Sequence, residues 1–159
     1  EGNLLPWKGI ESINRALSDL RGFELWTMSN TKFTIKSDKH WMNPTVDGTR
    51  KILSSCDILI RAYYEDGTAD LSAQAMACGT AVITRKTSGA KMFCKHEENS
   101  LVFQTGMNPK DDASKIKSCI KKLIKNKILR EKIIRGGLET AKKLDWENSV
   151  NILEKALKK

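Results

Sequence analysis

Two glycine-bearing turns contain the residues of this chain whose types and spacing could do chemistry. In the first turn, Lys8 and Gly9 stand directly before an apolar helical pattern. In the second, Glu65, Asp66 and Gly67 precede a short helix-forming run. A lysine and the free N–H groups of a helix start attract phosphate, whereas carboxylates accept hydrogen bonds from hydroxyl groups. These groups together predict a nucleotide-sugar site, and the alternative is an ordinary capping turn beside a surface lysine.

The elements around the second turn are those of a βαβ unit. An apolar strand is predicted over 58–61, a helix over 70–78 and a second apolar strand over 81–84. Continuously apolar strands are typical of parallel sheets that helices cover on both faces. In such units ligands bind at the turn after the first strand, where the N–H groups of a helix start are exposed. The acidic turn is therefore predicted to lie at a ligand-binding edge.

The remaining elements complete an α/β domain. We predict helices over 8–20 and 47–55, strands over 23–28, 32–36 and 100–103, a polar loop over 37–45, and one or two helical turns over 89–95. Strands that alternate with helices imply a parallel sheet with right-handed crossovers. The predicted fold class is α/β, a Rossmann-like parallel sheet in a three-layer α/β/α sandwich.

The C-terminal third is predicted to be helical. Asp145 is positioned to cap the last helix, and the pair Gly136–Gly137 predicts a close helix crossing. Three apolar stripes define the helices: Ala113, Ile116, Ile120, Leu123 and Ile124; Leu129, Ile133, Ile134, Leu138 and Ala141; and Trp146, Val150, Leu153 and Leu157.

The positive charge of the chain is concentrated in these helices. Residues 104–159 contain 15 basic and 7 acidic side chains, whereas residues 1–103 contain 13 and 12. Two interpretations remain open: solvated helix faces, or attraction to an anionic membrane surface. Nucleic acid is not expected as a partner, because aromatic residues are not interleaved with the basic ones and no nucleic-acid motif occurs.

Composition favours one globular domain over the 159 residues, with 40% hydrophobic and 30% charged residues. No apolar run approaches the roughly 18 residues of a membrane span, and no signal-peptide pattern opens the chain.

The four cysteines form no Cys-x-x-Cys pair and lie among apolar residues, so we expect buried free thiols in a reducing compartment. The two histidines match no metal motif. These features predict a cytoplasmic protein without a metal site.

The second turn opens a frame that resembles the C-terminal, donor-binding domain of GT-B glycosyltransferases of family 4, the glycosyl transferases group 1. The frame runs from Asp66-Gly67 through Gln74 to the segment Ala75-Met76-Ala77-Cys78-Gly79-Thr80. The resemblance extends over residues 2–157. Its other matching positions are Lys8-Gly9, Asp57, Ser88-Gly89, Glu98-Asn99 and Asp145-Trp146-Glu147.

The resemblance implies a role for each matching residue. Lys8 would contact the donor diphosphate and stabilise the leaving nucleotide. Asp66, with Glu65 before it, would lie near the hydroxyls of the donor sugar, and Gln74 would lie at the ribose. The main-chain N–H groups of residues 67–70 would face the phosphates. The implied donor-binding residues are Asn3, Lys8, Glu65, Asp66, Gly67, Thr68, Ala69, Asp70 and Gln74, with Lys8 and Asp66 as the catalytic pair.

The same resemblance implies what the parent enzyme would do. Members of the family transfer a sugar from a nucleoside-diphosphate sugar with retention of configuration, and they need no cofactor and no metal bound by this domain. Residues 1–159 would form a single donor-binding domain, a fragment whose partner is an N-terminal acceptor-binding domain, so the piece alone would be inactive. The usual setting is surface polysaccharide or lipopolysaccharide synthesis, in the cytoplasm or at the inner face of the membrane.

The chain departs from the family pattern at three positions. Asn3 stands where the family has an arginine, and Asp66 and Gln74 stand where it has two glutamates. The segment 29–45, which would shape the base pocket, is also short. These departures keep two alternatives open: a degenerate, non-catalytic nucleotide-sugar-binding or scaffold module, and another GT-B enzyme such as a nucleotide-sugar epimerase.

Overall fold

Helices and strands alternate along the chain. The computed structural model describes residues 6–30, 36–106 and 108–158, beginning with a 3₁₀ helix at Pro6–Lys8. The helices are α1 (Ile10–Leu17), α2 (Val46–Ser54), α3 (Asp70–Ala77), α4 (Ser88–Phe93), α5 (Pro109–Lys125), α6 (Lys127–Lys143) and α7 (Trp146–Leu157), and the strands are β1 (Trp26–Ser29), β2 (Lys39–Met42), β3 (Ile58–Arg61), β4 (Ala81–Arg85) and β5 (Leu101–Phe103).

All strand pairs within the described ranges are parallel. β3, β4 and β5 form one sheet in that order, and β1 pairs with β2 in a second sheet. The helices α3 and α4 connect the three strands of the first sheet, as parallel neighbours require. The carboxyl ends of β3, β4 and β5 consequently lie at one edge, which confirms the predicted parallel sheet.

The central strand β4 shows that helices cover both faces of its sheet. All five of its residues are buried. Ala81 and Ile83 belong to a core that α1, α5 and α6 complete, whereas Val82 packs with Leu53 of α2 and Met76 of α3. Because alternate side chains of a strand point to opposite faces, the sheet lies between two helical layers. The predicted α/β class is confirmed.

The prediction of a polar loop over 37–45 is wrong, because β2 occupies Lys39–Met42 and pairs with β1. Three of the four β2 side chains are exposed, so the strand lacks the alternation by which a sequence pattern reveals strands. Backbone pairing and the contact between Trp26 and Trp41, with ring centres 5.1 Å apart, stabilise it instead. Most of the strand predicted over 32–36 lies outside the described residues; Lys36, its last residue, is not in a strand.

Two of the three apolar stripes at the C-terminus are buried over most of their length, with Ile124 and Leu138 exposed. Ile116 and Leu123 of α5 and Ile133 of α6 are almost inaccessible. Gly137 of α6 crosses α3 so closely that a Cβ atom on it would lie 3.1 Å from the Met76 side chain. The predicted close crossing at the glycine pair is thereby confirmed.

The third apolar stripe is exposed, because α7, the helix that contains it, has no buried residue. Its predicted cap is present: the Asp145 carboxylate accepts a hydrogen bond from the Glu147 N–H at 3.2 Å. Its apolar side chains nevertheless face solvent, with Trp146 82% exposed. In the ranges that the structure describes, no helix is long and apolar enough to cross a membrane.

Candidate functional site

The two predicted turns lie side by side at the carboxyl end of β3. The Tyr64 N–H donates to the carbonyl oxygen of Trp7 at 2.7 Å. Gly9 has a φ of 65°, and a Cβ atom on it would lie 2.1 Å from the carbonyl oxygen of Ala62. Glycine satisfies both the left-handed conformation and this close contact. The start of α1 and the acidic loop therefore form one continuous surface.

Lys8 contributes an uncommitted positive charge to this surface. Its amino nitrogen lies 5.5 Å from the centre of the Trp7 ring, and within the described ranges it has no acidic partner. Helix α1 begins after Gly9 without a side-chain cap, so no side chain of the described residues competes with a ligand for its first N–H groups. A cation beside the positive end of a helix is unfavourable, and a bound anion would relieve the repulsion.

The carboxylate of Asp66 is already committed within its own loop. One oxygen forms an ion pair with the Arg61 guanidinium, and the other accepts a hydrogen bond from the Ala69 N–H at 3.0 Å. The two paired side chains are only 9% and 13% exposed. A sugar hydroxyl bound at Asp66 must therefore share this carboxylate. Glu65, by contrast, is exposed and has no side-chain partner in the described part of the chain.

The loop after Asp66 is fixed by the start of α4. The Gly89 N–H donates to the Asp66 carbonyl oxygen at 2.8 Å, and a Cβ atom on Gly89 would lie 2.6 Å from the Thr68 nitrogen. Ala69 is buried in the left-handed conformation with a φ of 52°, and α3 starts after it without a side-chain cap. The Ser72 N–H donates to the Ala69 carbonyl oxygen at 2.9 Å, so the N–H groups of the exposed Asp70 and of Leu71 are those left for a ligand or for water.

Gln74 lies one helical turn beyond Asp70 on α3. Its side chain is exposed and has no partner among the described residues. Residues four apart share a helix face, so Gln74 and the start of α3 can contact one ligand. Asn3, the remaining predicted donor-binding residue, lies outside the described residues.

Sequence reasoning missed two buried arginines that support this surface. Arg61 ends β3 and Arg85 ends β4, and they are 8% and 3% exposed. Arg85 forms an ion pair with Asp112 of α5, and Asp112 also accepts a hydrogen bond from Thr105. The sequence signal for these two residues is an arginine at the end of a mostly apolar strand. Such an arginine is expected to be buried, and a buried charge requires a partner.

An open cleft of about 540 Å³ adjoins the acidic loop. Its lining, as far as the described residues go, contains three aromatic rings and two carboxylates but no lysine or arginine. The aromatic residues were absent from the predicted site. The lining residues are Trp7, Tyr63, Tyr64, Glu65, Asp66 and Gly67.

Neither a reactive thiol nor a cluster of metal ligands is present at the described part of this surface. Burial raises the pKa of Cys94 to about 11, so this thiol is protonated and weakly nucleophilic at neutral pH. All four cysteines are free and half-buried. Among the residues that the structure describes, no group of three or more histidine, cysteine, aspartate or glutamate side chains could bind a metal ion.

Comparison with known proteins identifies similar sequences and folds. The family described as Glycosyl transferases group 1 matches residues 35–140. The lipopolysaccharide core biosynthesis glycosyltransferase LpsE of Rhizobium meliloti (strain 1021) is 22% identical over 149 residues, which are 87% of this chain and 42% of that protein. The chain therefore spans about two fifths of the length of this relative.

Two solved structures share the fold. Anabaena HepE in complex with UDP-glucose superposes with a TM-score of 0.73 at 16% identity, covering 87% of this chain and 41% of HepE. The C-terminal domain of the group 1 glycosyl transferase LpcC from Francisella tularensis gives a TM-score of 0.68 at 17% identity, covering 86% of this chain and 78% of that domain. At these identities the likeness shows the fold alone.

Proposed function

Because this chain belongs to the glycosyl transferases group 1, we propose that residues 1–159 are the donor-binding domain of an enzyme that transfers a sugar from a nucleoside-diphosphate sugar to an acceptor. One observation supports this proposal above the others. Lys8, whose cation has no acidic partner among the described residues, and two helix starts without a side-chain cap, those of α1 and α3, belong to adjoining turns at the carboxyl end of β3. This combination suits a diphosphate.

The proposed roles follow from charge and position. Lys8 neutralises charge on the departing nucleoside diphosphate. The N–H groups of the segment Gly67 to Asp70 bind its phosphates, except that of Ala69, which donates to the Asp66 carboxylate. Gln74 binds the ribose, and Asp66 with Glu65 binds the donor sugar. Asn3, a neutral residue, would contribute hydrogen bonds and no charge.

We propose a reaction without a metal ion and with retention of configuration. Negative charge develops on the leaving diphosphate as the glycosidic bond breaks. Lys8 and the amides of two helix starts offer fixed positive potential at that point, which is the electrostatic task that a divalent cation would otherwise perform. Retention is proposed from the family resemblance, and a hexose is the proposed sugar.

The acceptor would bind to a second, N-terminal domain of the parent protein, so the present domain alone would not turn over. The chain covers about two fifths of LpsE and of HepE, which leaves ample length for such a domain in a comparable parent. The name of LpsE suggests lipopolysaccharide or another surface polysaccharide as the product.

Calorimetric titration tests the donor site. We expect binding of at least one ligand from a panel of UDP, GDP, UDP-glucose and GDP-mannose. Lys8→Ala should weaken it by about ten- to a hundred-fold, the usual cost of losing a charged hydrogen bond. Lys51→Ala, which removes an exposed lysine of α2, is the matched control and should change nothing. If the full-length parent binds no nucleotide of the panel, the proposal fails.

A non-catalytic nucleotide-sugar-binding module is the second candidate. It is favoured by the Arg61–Asp66 pair, which occupies the carboxylate expected at the donor sugar, and by the uncharged Gln74. The two candidates differ in one result. The parent enzyme would turn over the bound sugar nucleotide in the presence of acceptor, whereas a binding module would not.

A cytoplasmic location with peripheral attachment to an anionic membrane is proposed from the family resemblance, the basic helices α5 and α6 and the exposed apolar side chains of α7. Co-sedimentation with vesicles checks it. Binding should require phosphatidylglycerol and decline between 50 and 500 mM salt, conditions chosen because surface charges are screened over about 10 Å at 0.1 M. Equal binding to pure phosphatidylcholine would exclude the electrostatic mechanism.

A further inference from the structure

We propose that the aromatic cleft bounded by Trp7, Tyr63 and Tyr64 binds a pyranose ring and contributes to the choice of sugar. The proposal rests on the proposed function, because the cleft adjoins the site assigned to the diphosphate. Its volume of about 540 Å³ lies within the range of roughly 300–1,000 Å³ that is usual for small-molecule pockets.

Trp7 provides the exposed apolar surface that a sugar ring needs. Its side chain is 42% exposed at the rim of the cleft. Tyr63 packs against it nearly perpendicularly, with ring centres 5.3 Å apart and an angle of 88° between the planes. The C–H groups on one face of a pyranose are apolar, so that face can stack on an indole ring, whose large surface gains most from leaving water.

The two tyrosines rest on the buried arginines and are therefore fixed before any ligand binds. The Arg61 guanidinium lies 4.1 Å from the centre of the Tyr63 ring, and the Arg85 guanidinium lies 4.6 Å from that of Tyr64. Both arginines are in turn held by buried ion pairs. Tyrosine side chains that are held in this way lose little conformational entropy when a ligand binds.

The polar groups of the cleft suit hydroxyl groups better than phosphate. The Glu65 carboxylate and both tyrosine hydroxyls have no hydrogen-bond partner in the described part of the chain. No lysine or arginine is among the described residues that line the cleft, and its unpaired charge is the Glu65 carboxylate, because Asp66 is paired with Arg61. An anion would be repelled there, whereas carboxylates and phenols can bind the hydroxyls of a neutral sugar. Phosphate is instead expected at Lys8.

The pyranose could come from the donor or from a part of the acceptor that extends from the N-terminal domain into this cleft, and ligand binding by Trp7→Ala distinguishes the two sources. If the ring belongs to the donor, Trp7→Ala weakens binding of UDP-glucose or GDP-mannose by about three- to ten-fold and leaves UDP or GDP unchanged. If it belongs to the acceptor, nucleotide and sugar-nucleotide affinities stay the same. The variant then loses the saturation-transfer NMR signals of methyl α-D-glucopyranoside or methyl α-D-mannopyranoside that the wild type shows.

Two further variants keep the test specific. Trp146→Ala removes the most exposed tryptophan, on α7, and should behave as wild type in every assay. Trp7→Phe preserves an aromatic face and should retain most of the sugar binding even if Trp7→Ala destabilises the turn. The proposal is overturned if Trp7→Ala and Trp7→Phe bind sugar nucleotides as the wild type does and the wild type shows no saturation transfer from either glycoside. Failure of the donor-site proposal is a different result, since it appears as absent UDP and GDP binding, and the glycoside measurements still test the cleft.

Discussion

Two buried ion pairs lie beneath the candidate site, and they differ in what they connect. Arg61 and Asp66 are five residues apart, at the end of β3 and in the loop that follows, with side chains 9% and 13% exposed. Arg85 and Asp112 come from β4 and α5, with side chains 4% and 0% exposed. The first pair is thus local and near the surface, whereas the second joins separate elements in the core.

Because of this difference, we expect one ion pair to determine the stability of the domain and the other to determine the conformation of the loop at the site. Asp112 also accepts hydrogen bonds from Ser12 of α1 at 3.3 Å and from Thr105. It therefore connects α1, α5 and the sheet, and its bonds to Ser12 and Arg85 form only when these elements have assembled. Among the described residues, the Asp66 carboxylate bonds only within its own segment, to Arg61 and the Ala69 N–H. We expect the core pair to govern the free energy of unfolding and the local pair to govern the loop that faces the ligand.

Of the substitutions at the two ion pairs, Asp112→Ala is expected to lower the free energy of unfolding most. The substitution leaves the Arg85 charge buried without its partner, and such losses reduce the free energy of unfolding by about 3–5 kcal/mol. Urea unfolding monitored by circular dichroism measures it. Asp19→Ala is the control, because it breaks the exposed Lys117–Asp19 pair and should leave the unfolding midpoint nearly unchanged.

If Asp112→Ala does not fold, the double variant Arg85→Met/Asp112→Leu still tests the interpretation. Removing both charges avoids the unpaired guanidinium, so the double variant should be more stable than Asp112→Ala. A double variant as unstable as Asp112→Ala would show that the hydrogen bonds to Ser12 and Thr105, and not the ion pair, make Asp112 important.

The sequence predicts most of the α/β fold because its helices and inner strands have strong apolar periodicity. The strand over 58–61 and the helix 70–78 agree with the observed β3 and α3 to within one residue. β2 was missed because a mostly exposed edge strand depends on backbone pairing and a single half-buried side chain, Trp41. The solvent-facing position of α7 was also not predictable, since its apolar stripe resembles those of the buried helices α5 and α6.

The site was less predictable than the fold, because its support comes from pairs that no spacing rule reveals. Lys8 and the acidic loop were identified from the sequence, and the structure brings their two turns together. Arg85 and Asp112 lie on different elements, and neither residue type alone indicates burial. Trp7 joins the cleft through the contact between the two turns, which only the tertiary structure creates.

A smaller and more local effect is expected from the pair of variants Asp66→Asn and Asp66→Ala. Asparagine removes the charge opposite Arg61 but keeps an oxygen for the Ala69 N–H, whereas alanine removes both. The Arg61 and Asp66 side chains are 9% and 13% exposed, whereas those of Arg85 and Asp112 are 4% and 0% exposed. We therefore expect a smaller loss in the free energy of unfolding, roughly 1–3 kcal/mol for Asp66→Ala, and less for Asp66→Asn. Urea unfolding measures both.

Hydrogen exchange then shows whether the pair acts on the loop alone. Ala69 is held in the left-handed conformation, which alanine adopts at a cost of roughly 1 kcal/mol or more, and the bond from its N–H to Asp66 stabilises that conformation. In Asp66→Ala the amides around Ala69 should exchange faster while those of β4 and α5 keep their protection. Uniformly faster exchange would contradict the separation between the two ion pairs, because it would mean that the local pair also governs global unfolding.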